Sequence, residues 1–143
     1  MNEVALRRAA IWELEAALKR ENQVELTTLH HFADGIYVRE LHIPKGVTLT
    51  GKVHRKSTVN IITKGSILVV TEEGKRLVTA PECFVSAPGC KKAGHALEDT
   101  IWLNIHRTDE TDLERIEAEF IVPENEAIEM FQMEKLETEQ CPG

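Results

Sequence analysis

The chain has 143 residues and a mass of 16.1 kDa, room for one hydrophobic core of ordinary size, which excludes most multidomain enzymes. It is 42% hydrophobic and 29% charged, the composition of an ordered domain, and no low-complexity run interrupts it. A net charge of −7 without a dense Lys/Arg stripe argues against nucleic acid as a partner. No window approaches a membrane-spanning apolar run, and Met1-Asn2-Glu3-Val4 does not begin a signal peptide, so no membrane partner and a cytoplasmic location are expected. Cys83, Cys90 and Cys141 form no CxxC pair and are expected as free thiols.

Charge is segregated along the chain. Residues 1–38 carry a net −2, residues 39–107 a net +5 and residues 108–143 a net −10. A basic centre joined to an acidic tail either serves an anionic ligand or complements its own tail.

Residues 3–21 place Val4, Ile11, Leu14 and Leu18 on one helical face, predicting an amphipathic helix that packs on the domain or forms a dimer contact or lid. From Val24 to His106 the texture changes to eight short runs: 24–32, 36–43, 46–50, 58–64, 66–71, 76–79, 83–86 and 100–106. Turn chemistry separates them, as at Asp34-Gly35, Gly65, Glu73-Gly74 and Pro88-Gly89. Thr111-Asp-Leu-Glu114 has the form of a capping box opening a helix through about Glu119. A second helix is expected over 124–137, with Ile128, Phe131 and Leu136 on it.

Within the strand region, Gly46-x5-Lys52-x-His54-x3-Thr58-x6-Gly65 has the spacing of the first cupin motif, G-x5-H-x-H-x3-E-x6-G. Both glycines and His54 match it, whereas Lys52 stands at the first histidine position and Thr58 at the glutamate. The stretch from Pro81 to Asp99 is loosely similar to the second motif, with His95 at its histidine after an interval two residues longer. Residues 36–107 therefore resemble the cupin superfamily, whose RmlC-like members are jelly rolls. The run His30–Gly46, with Gly94–Trp102 and Thr108–Glu114, is similar to small cupin proteins encoded by tailed bacteriophages. That resemblance implies a barrel and a phage source and brings no catalytic residue with it.

The cupin resemblance also implies a metal held by three imidazoles and a carboxylate. His54, His95 and His106 would be the ligands here, with His106 sharing its strand face with Trp102 and Asn104. Zinc, iron or nickel would be the ion. Lys52 opposes this, since one charge pair about 4 Å apart costs about 4 kcal/mol at an effective dielectric near 20, and a divalent ion doubles that. Thr58 supplies no compensating charge, so no metal cofactor is the expectation. Among the remaining histidines, His30 and His31 must face opposite ways and His42 reads as structural. Cys83 and Cys90 read as packing residues. No GxGxxG, GxxxxGK[ST] or GxSxG motif occurs.

Lys52 at an inward position, with Arg55, Lys56, Lys91 and Lys92 around the barrel mouth, suggests an anion pocket, Glu40 and Glu98 being the internal partners that would otherwise neutralise Lys52. The expected protein is all-β: a cupin-type double-stranded β-helix (jelly-roll barrel) over 24–107, with an N-terminal helix in 1–23 and an acidic helical extension over 108–143. It is expected to bind or sequester a small anionic metabolite or nucleotide through Lys52, His54, Thr58, Lys91, Lys92, His95 and His106. The alternatives are a metal-dependent oxygenase or isomerase and an oligomeric phage structural component. A homodimer or higher homo-oligomer is expected from open strand edges and the apolar helix face.

Overall fold

A computed structural model of the protein describes residues 2–130 and 132. Asn2 caps the first helix, α1 (Glu3–Lys19), by accepting from the Ala5 amide at 2.8 Å. Nine strands follow among the described residues: β1 (Thr27–Ala33), β2 (Ile36–Ile43), β3 (Thr48–Thr50), β4 (Thr58–Lys64), β5 (Ser66–Thr71), β6 (Gly74–Thr79), β7 (Glu82–Ser86), β8 (Ala93–Ala96) and β9 (Thr100–Arg107). A second helix, α2 (Leu113–Phe120), comes after them. Phe131, Leu136 and Cys141 lie outside the described residues. No helix among those described is long and apolar enough to cross a membrane.

The strands form two antiparallel sheets, ordered β1-β2-β9-β4-β7 and β3-β8-β5-β6. Pairing of β9 between β2 and β4, and of β8 between β3 and β5, rolls the chain into a jelly roll. Period-two alternation then sends one face of each strand inward. Leu41 and Ile43 of β2, Ile62 of β4, Ile67 and Val69 of β5, Val78 of β6, Ala96 of β8 and Trp102 of β9 form the main core. Each of the larger side chains contributes about 1.5–3 kcal/mol by leaving water. Gly65 is required between β4 and β5: its φ is +87°, and a Cβ there would lie 2.2 Å from the Asp99 carbonyl oxygen.

Eight strands coincide with the expected runs, and β8 is the one that was not anticipated. Two further details differ. The N-cap of α2 is Asp112 instead of Thr111; its carboxylate accepts from the Glu114 and Arg115 amides at 3.0 and 3.2 Å. On α1, Ile11 and Ala5 are buried, Leu14 and Leu18 are half-buried and Val4 is exposed. Polar contacts share in fixing this helix, through Arg8 to Glu72 at 2.8 Å and Glu15 to Thr50 Oγ1 at 2.6 Å and to Lys91.

Beyond α2 the chain is sewn to the barrel mouth. Arg55 N–H donates to the Phe120 carbonyl at 2.7 Å, Val122 N–H donates to the Val53 carbonyl at 2.9 Å, and His54 and Ile121 form a bridge between them. Val53, Val122 and Ala127 then close a small core against Trp12 of α1. Helical backbone resumes over 124–130.

Candidate functional site

The barrel holds a cavity of about 360 Å³. Strand register builds its main wall in rows. Tyr37 of β2 faces His106 of β9; Arg39 faces Asn104, which in turn faces Asn60 of β4; and Leu41 faces Trp102, which faces Ile62. An aromatic row, a polar row and an apolar row therefore lie side by side. His30 of β1 stands opposite Arg39, and its Nδ1 shares a 2.7 Å hydrogen bond with the Tyr37 hydroxyl.

Helix α2 roofs the cavity. Ile116 and Phe120 pack on Tyr37, and the Phe120 ring lies 4.6 Å from that of His106. The His106 ring is stacked between Tyr37 at 5.8 Å and His54 at 5.5 Å. His54 stands outside any regular strand, held by its bridge to Ile121 and by its carbonyl, which accepts from the Gly89 amide at 2.9 Å.

A buried network backs the polar side of the cavity, whose lining it reaches through Lys92, Trp102 and Asn104. Lys92, 7% exposed, donates from Nζ to Ser86 Oγ at 3.0 Å. Asn60 Nδ2 donates to the same hydroxyl at 2.6 Å, and Asn60 Oδ1 accepts from Trp102 Nε1 at 3.0 Å and Asn104 Nδ2 at 2.7 Å. Lys92 forms no ion pair among the described residues, and neither does Arg39. Burial lowers the Lys92 pKa.

His54 and His106 are held neutral near pH 7. Burial, reinforced by the charges of Lys92, His106 and Arg39, brings His54 down from 6.5 to about 4. Burial and then Arg39 lower His106 as well, against an opposing effect of Glu119. Nδ1 of His54 is buried with no hydrogen-bond partner among the described residues.

The expected site residues divide sharply. His54, His106 and Lys92 do line the cavity. Lys52 reaches the cavity only at its rim and does not point inward: its side chain is 66% exposed and its ammonium pairs with Glu117 of α2. The first-motif alternation fails because residues 51–57 are not a regular strand. Glu40, an expected partner for Lys52, instead accepts from His31 Nε2 at 3.0 Å and His42 Nε2 at 2.6 Å, as suits a structural role for His42. Lys91 leaves the mouth altogether, buried beneath α1 against Glu15 and 4.2 Å from the Trp12 ring centroid. His95 bonds Thr48 Oγ1 at 2.7 Å, on the face of β8 opposite to the cavity-lining Gly94. Thr58 is buried on β4, beside the cavity lining and outside it. Asp99 accepts from the Lys45 amide at 2.8 Å, a turn contact. Cys83 is exposed and free, whereas Cys90 is buried and its thiol pKa raised by burial.

Arg39, Asn104 and Tyr37 of the lining, and Asn60 buried behind it, were not foreseen. The signal was present in the alternation Tyr37-x-Arg39-x-Leu41-x-Ile43, which puts a charge on an otherwise apolar inward face.

No protein-family model and no curated protein sequence matches the chain. Solved structures do resemble it. A cupin superfamily protein from Desulfitobacterium hafniense is 12% identical with a TM-score of 0.51, over 66% of this chain and 87% of that one. KdgF from a Halomonas species is 17% identical with a TM-score of 0.50, over 59% and 82%. The fold is the cupin jelly roll. Salicylate 1,2-dioxygenase from Pseudoaminobacter salicylatoxidans, 12% identical, superposes at a TM-score of 0.55 on 80% of this chain, which spans about a third, 34%, of that protein.

The metal set that the cupin resemblance implies does not fit these residues. Of its three histidines only His54 and His106 reach the cavity, and Arg39 and Lys92 stand beside them. No group of three His, Cys, Asp or Glu side chains suited to a metal occurs among the described residues. Neutral imidazoles and cations together form a donor set for an anion.

Proposed function

We propose that the protein binds a small organic anion in the cupin cavity, held by Arg39 and Lys92 beneath α2. One observation carries this reading: two cations line the same cavity and neither has a carboxylate partner among the described residues. The carboxylate in the lining, Glu117, is taken by Lys52. A buried cation without a counter-ion is costly, and a ligand anion removes the cost. Leu41, Leu49, Trp102, Ile116 and Phe120 supply apolar wall for the body of the ligand.

Calorimetry against a panel of carboxylic acids, sugar phosphates and nucleotides tests this. The best binder is expected to weaken at least tenfold, about 1.4 kcal/mol, in Arg39→Met and in Lys92→Met, and to be little changed in Lys75→Met, on exposed β6 away from the cavity. Binding indifferent to both Arg39 and Lys92 would refute the assignment.

A further inference from the structure

The inward residues of β2, β4 and β9 fill the core and the cavity, so the residues between them turn to the outer face of the five-stranded sheet. Register sets these in rows across the strands. One row holds His31, Val38, Ile105, Val59 and Val85; the next holds Leu29, Glu40, Leu103, Ile61 and Cys83; a third holds His42, Ile101 and Lys64. The middle of the face is aliphatic and half-buried, and Leu29 and Val85 on its edge strands are exposed. Among the described residues neither helix covers it: α1 packs over β3 and β5 of the other sheet, and α2 over the cavity. With a side-chain margin the three rows span about 500 Å², in the upper range of what a monomer leaves open. That is also the larger part of the roughly 800 Å² per partner in a stable interface.

Charge on the face selects the partner. Its carboxylate, Glu40, lies on β2 between His31 and His42. Its cation, Lys64, lies on β4 and forms no ion pair among the described residues. These two strands flank β9 on opposite sides, and Arg107 lies beyond the three rows at the end of β9. A two-fold axis parallel to the strands and over β9 lays β2 of one copy on β4 of the other. Each Lys64 then stands over His42 and beside Glu40 of the other copy. Val38 meets Val59, and Leu103 meets itself on the axis. A two-fold running across the strands at Leu103 would instead set Glu40 on Glu40. We infer that a second copy of this chain covers the outer face, sheet on sheet, with Leu103 at the centre and Lys64 paired to the Glu40 cluster of the other copy. The inference is independent of the anion reading.

Sedimentation of the full chain at micromolar concentration tests it. Twice 16.1 kDa is expected, and a monomer would overturn the inference. Leu103→Glu should yield a monomer with an unchanged circular dichroism spectrum, because Leu103 points away from the core. Lys64→Glu should weaken dimerisation at least threefold, and adding Glu40→Lys should restore it. Cross-linking supplies a readout that does not depend on breaking the dimer: Leu103→Cys should join to its own counterpart through a short bismaleimide. Pairing through a sheet edge cannot do this, since β9 lies two strands in from either edge. A dimer that survives Leu103→Glu, or that gives no Leu103→Cys cross-link, would show that the copies meet elsewhere and overturn the assignment of this face.

Discussion

Asn60 is fully buried, at 0% exposure, and its amide organises the polar side of the cavity. The oxygen accepts from Trp102 and Asn104 while the nitrogen serves Ser86 and the Thr58 carbonyl at 3.1 Å. Asn60→Leu keeps the branched heavy-atom shape and removes these contacts and the 3.4 Å bond to the Phe84 carbonyl, stranding the Trp102 N–H in an apolar setting. A loss of about 3 kcal/mol is expected, read as a lower midpoint in urea. His54 makes a pH-dependent contribution with a definite sign. Unfolded, it titrates near 6.5; folded, at about 4. The unfolded chain therefore binds the proton first as pH falls. The His54 contribution to stability is complete above pH 6.5, declines between 6.5 and 4 and is constant below, a span of about 3 kcal/mol. Unfolding curves at pH 7, 5 and 4 should show a shallower decline for His54→Phe, and parallel declines would contradict this. His54 and His106 were legible because a motif and a strand alternation placed them. Lys52 was misplaced by the same motif, since alternation has no force where the backbone is not a strand.

Helix α2 covers part of the barrel mouth. Its docking face is short, Ile116 and Phe120 against Tyr37, so its end contacts matter. Asp112→Ala removes the cap on two amides and should cost about 1 kcal/mol, with faster hydrogen exchange in α2 than in β2 or β9. Unchanged exchange in α2 would show that packing alone holds the roof. The strands that carry the site were legible from alternation and turn residues. β8 was not, because Ala93-Gly94-His95-Ala96 has small residues where a strand normally shows branched or aromatic ones. The reason for them is steric: a Cβ at position 94 would lie 3.0 Å from Ile67 Cδ1. Such a requirement comes from a neighbour across the sheet and leaves no local pattern. The roofing position of α2 was hidden for a similar reason, as it depends on pairing of residues 120–122 with 53–55, far apart in sequence.

At the scale of the molecule, Ile11 of α1 is buried within the monomer while Val4 and Leu6 of the same helix stay exposed, and the two sheets end in edge strands. Val85 on edge strand β7 is 67% exposed. Self-association through such edges is expected to give at least twice 16.1 kDa by light scattering at micromolar concentration, and Val85→Lys should reduce it. The segregated charge has an intramolecular use. Lys52 pairs with Glu117, Lys56 lies 4.0 Å from Glu119, and Lys19 pairs with Glu124, so the acidic extension is drawn onto basic groups of the barrel rim and of α1.

These rim pairs are exposed, and each contributes no more than about 1 kcal/mol in a salt-dependent way. They act on the placement of α2 more than on global stability, because the barrel core is independent of them. Lys52→Glu opposes two carboxylates across the rim and should speed hydrogen exchange in α2 at low salt, with little change in the global unfolding midpoint. Glu117→Lys should do the same by opposing two ammonium groups. Combining the two substitutions restores an ion pair of reversed sense, and exchange in α2 should return towards its original rate. Raising the salt concentration should shrink the difference among all four proteins, since a Debye length of about 3 Å at 1 M screens an exposed pair. Equal exchange in the single and double variants would show that the rim charges do not hold the roof, and that the backbone ladder at Val53, Arg55, Phe120 and Val122 holds it alone.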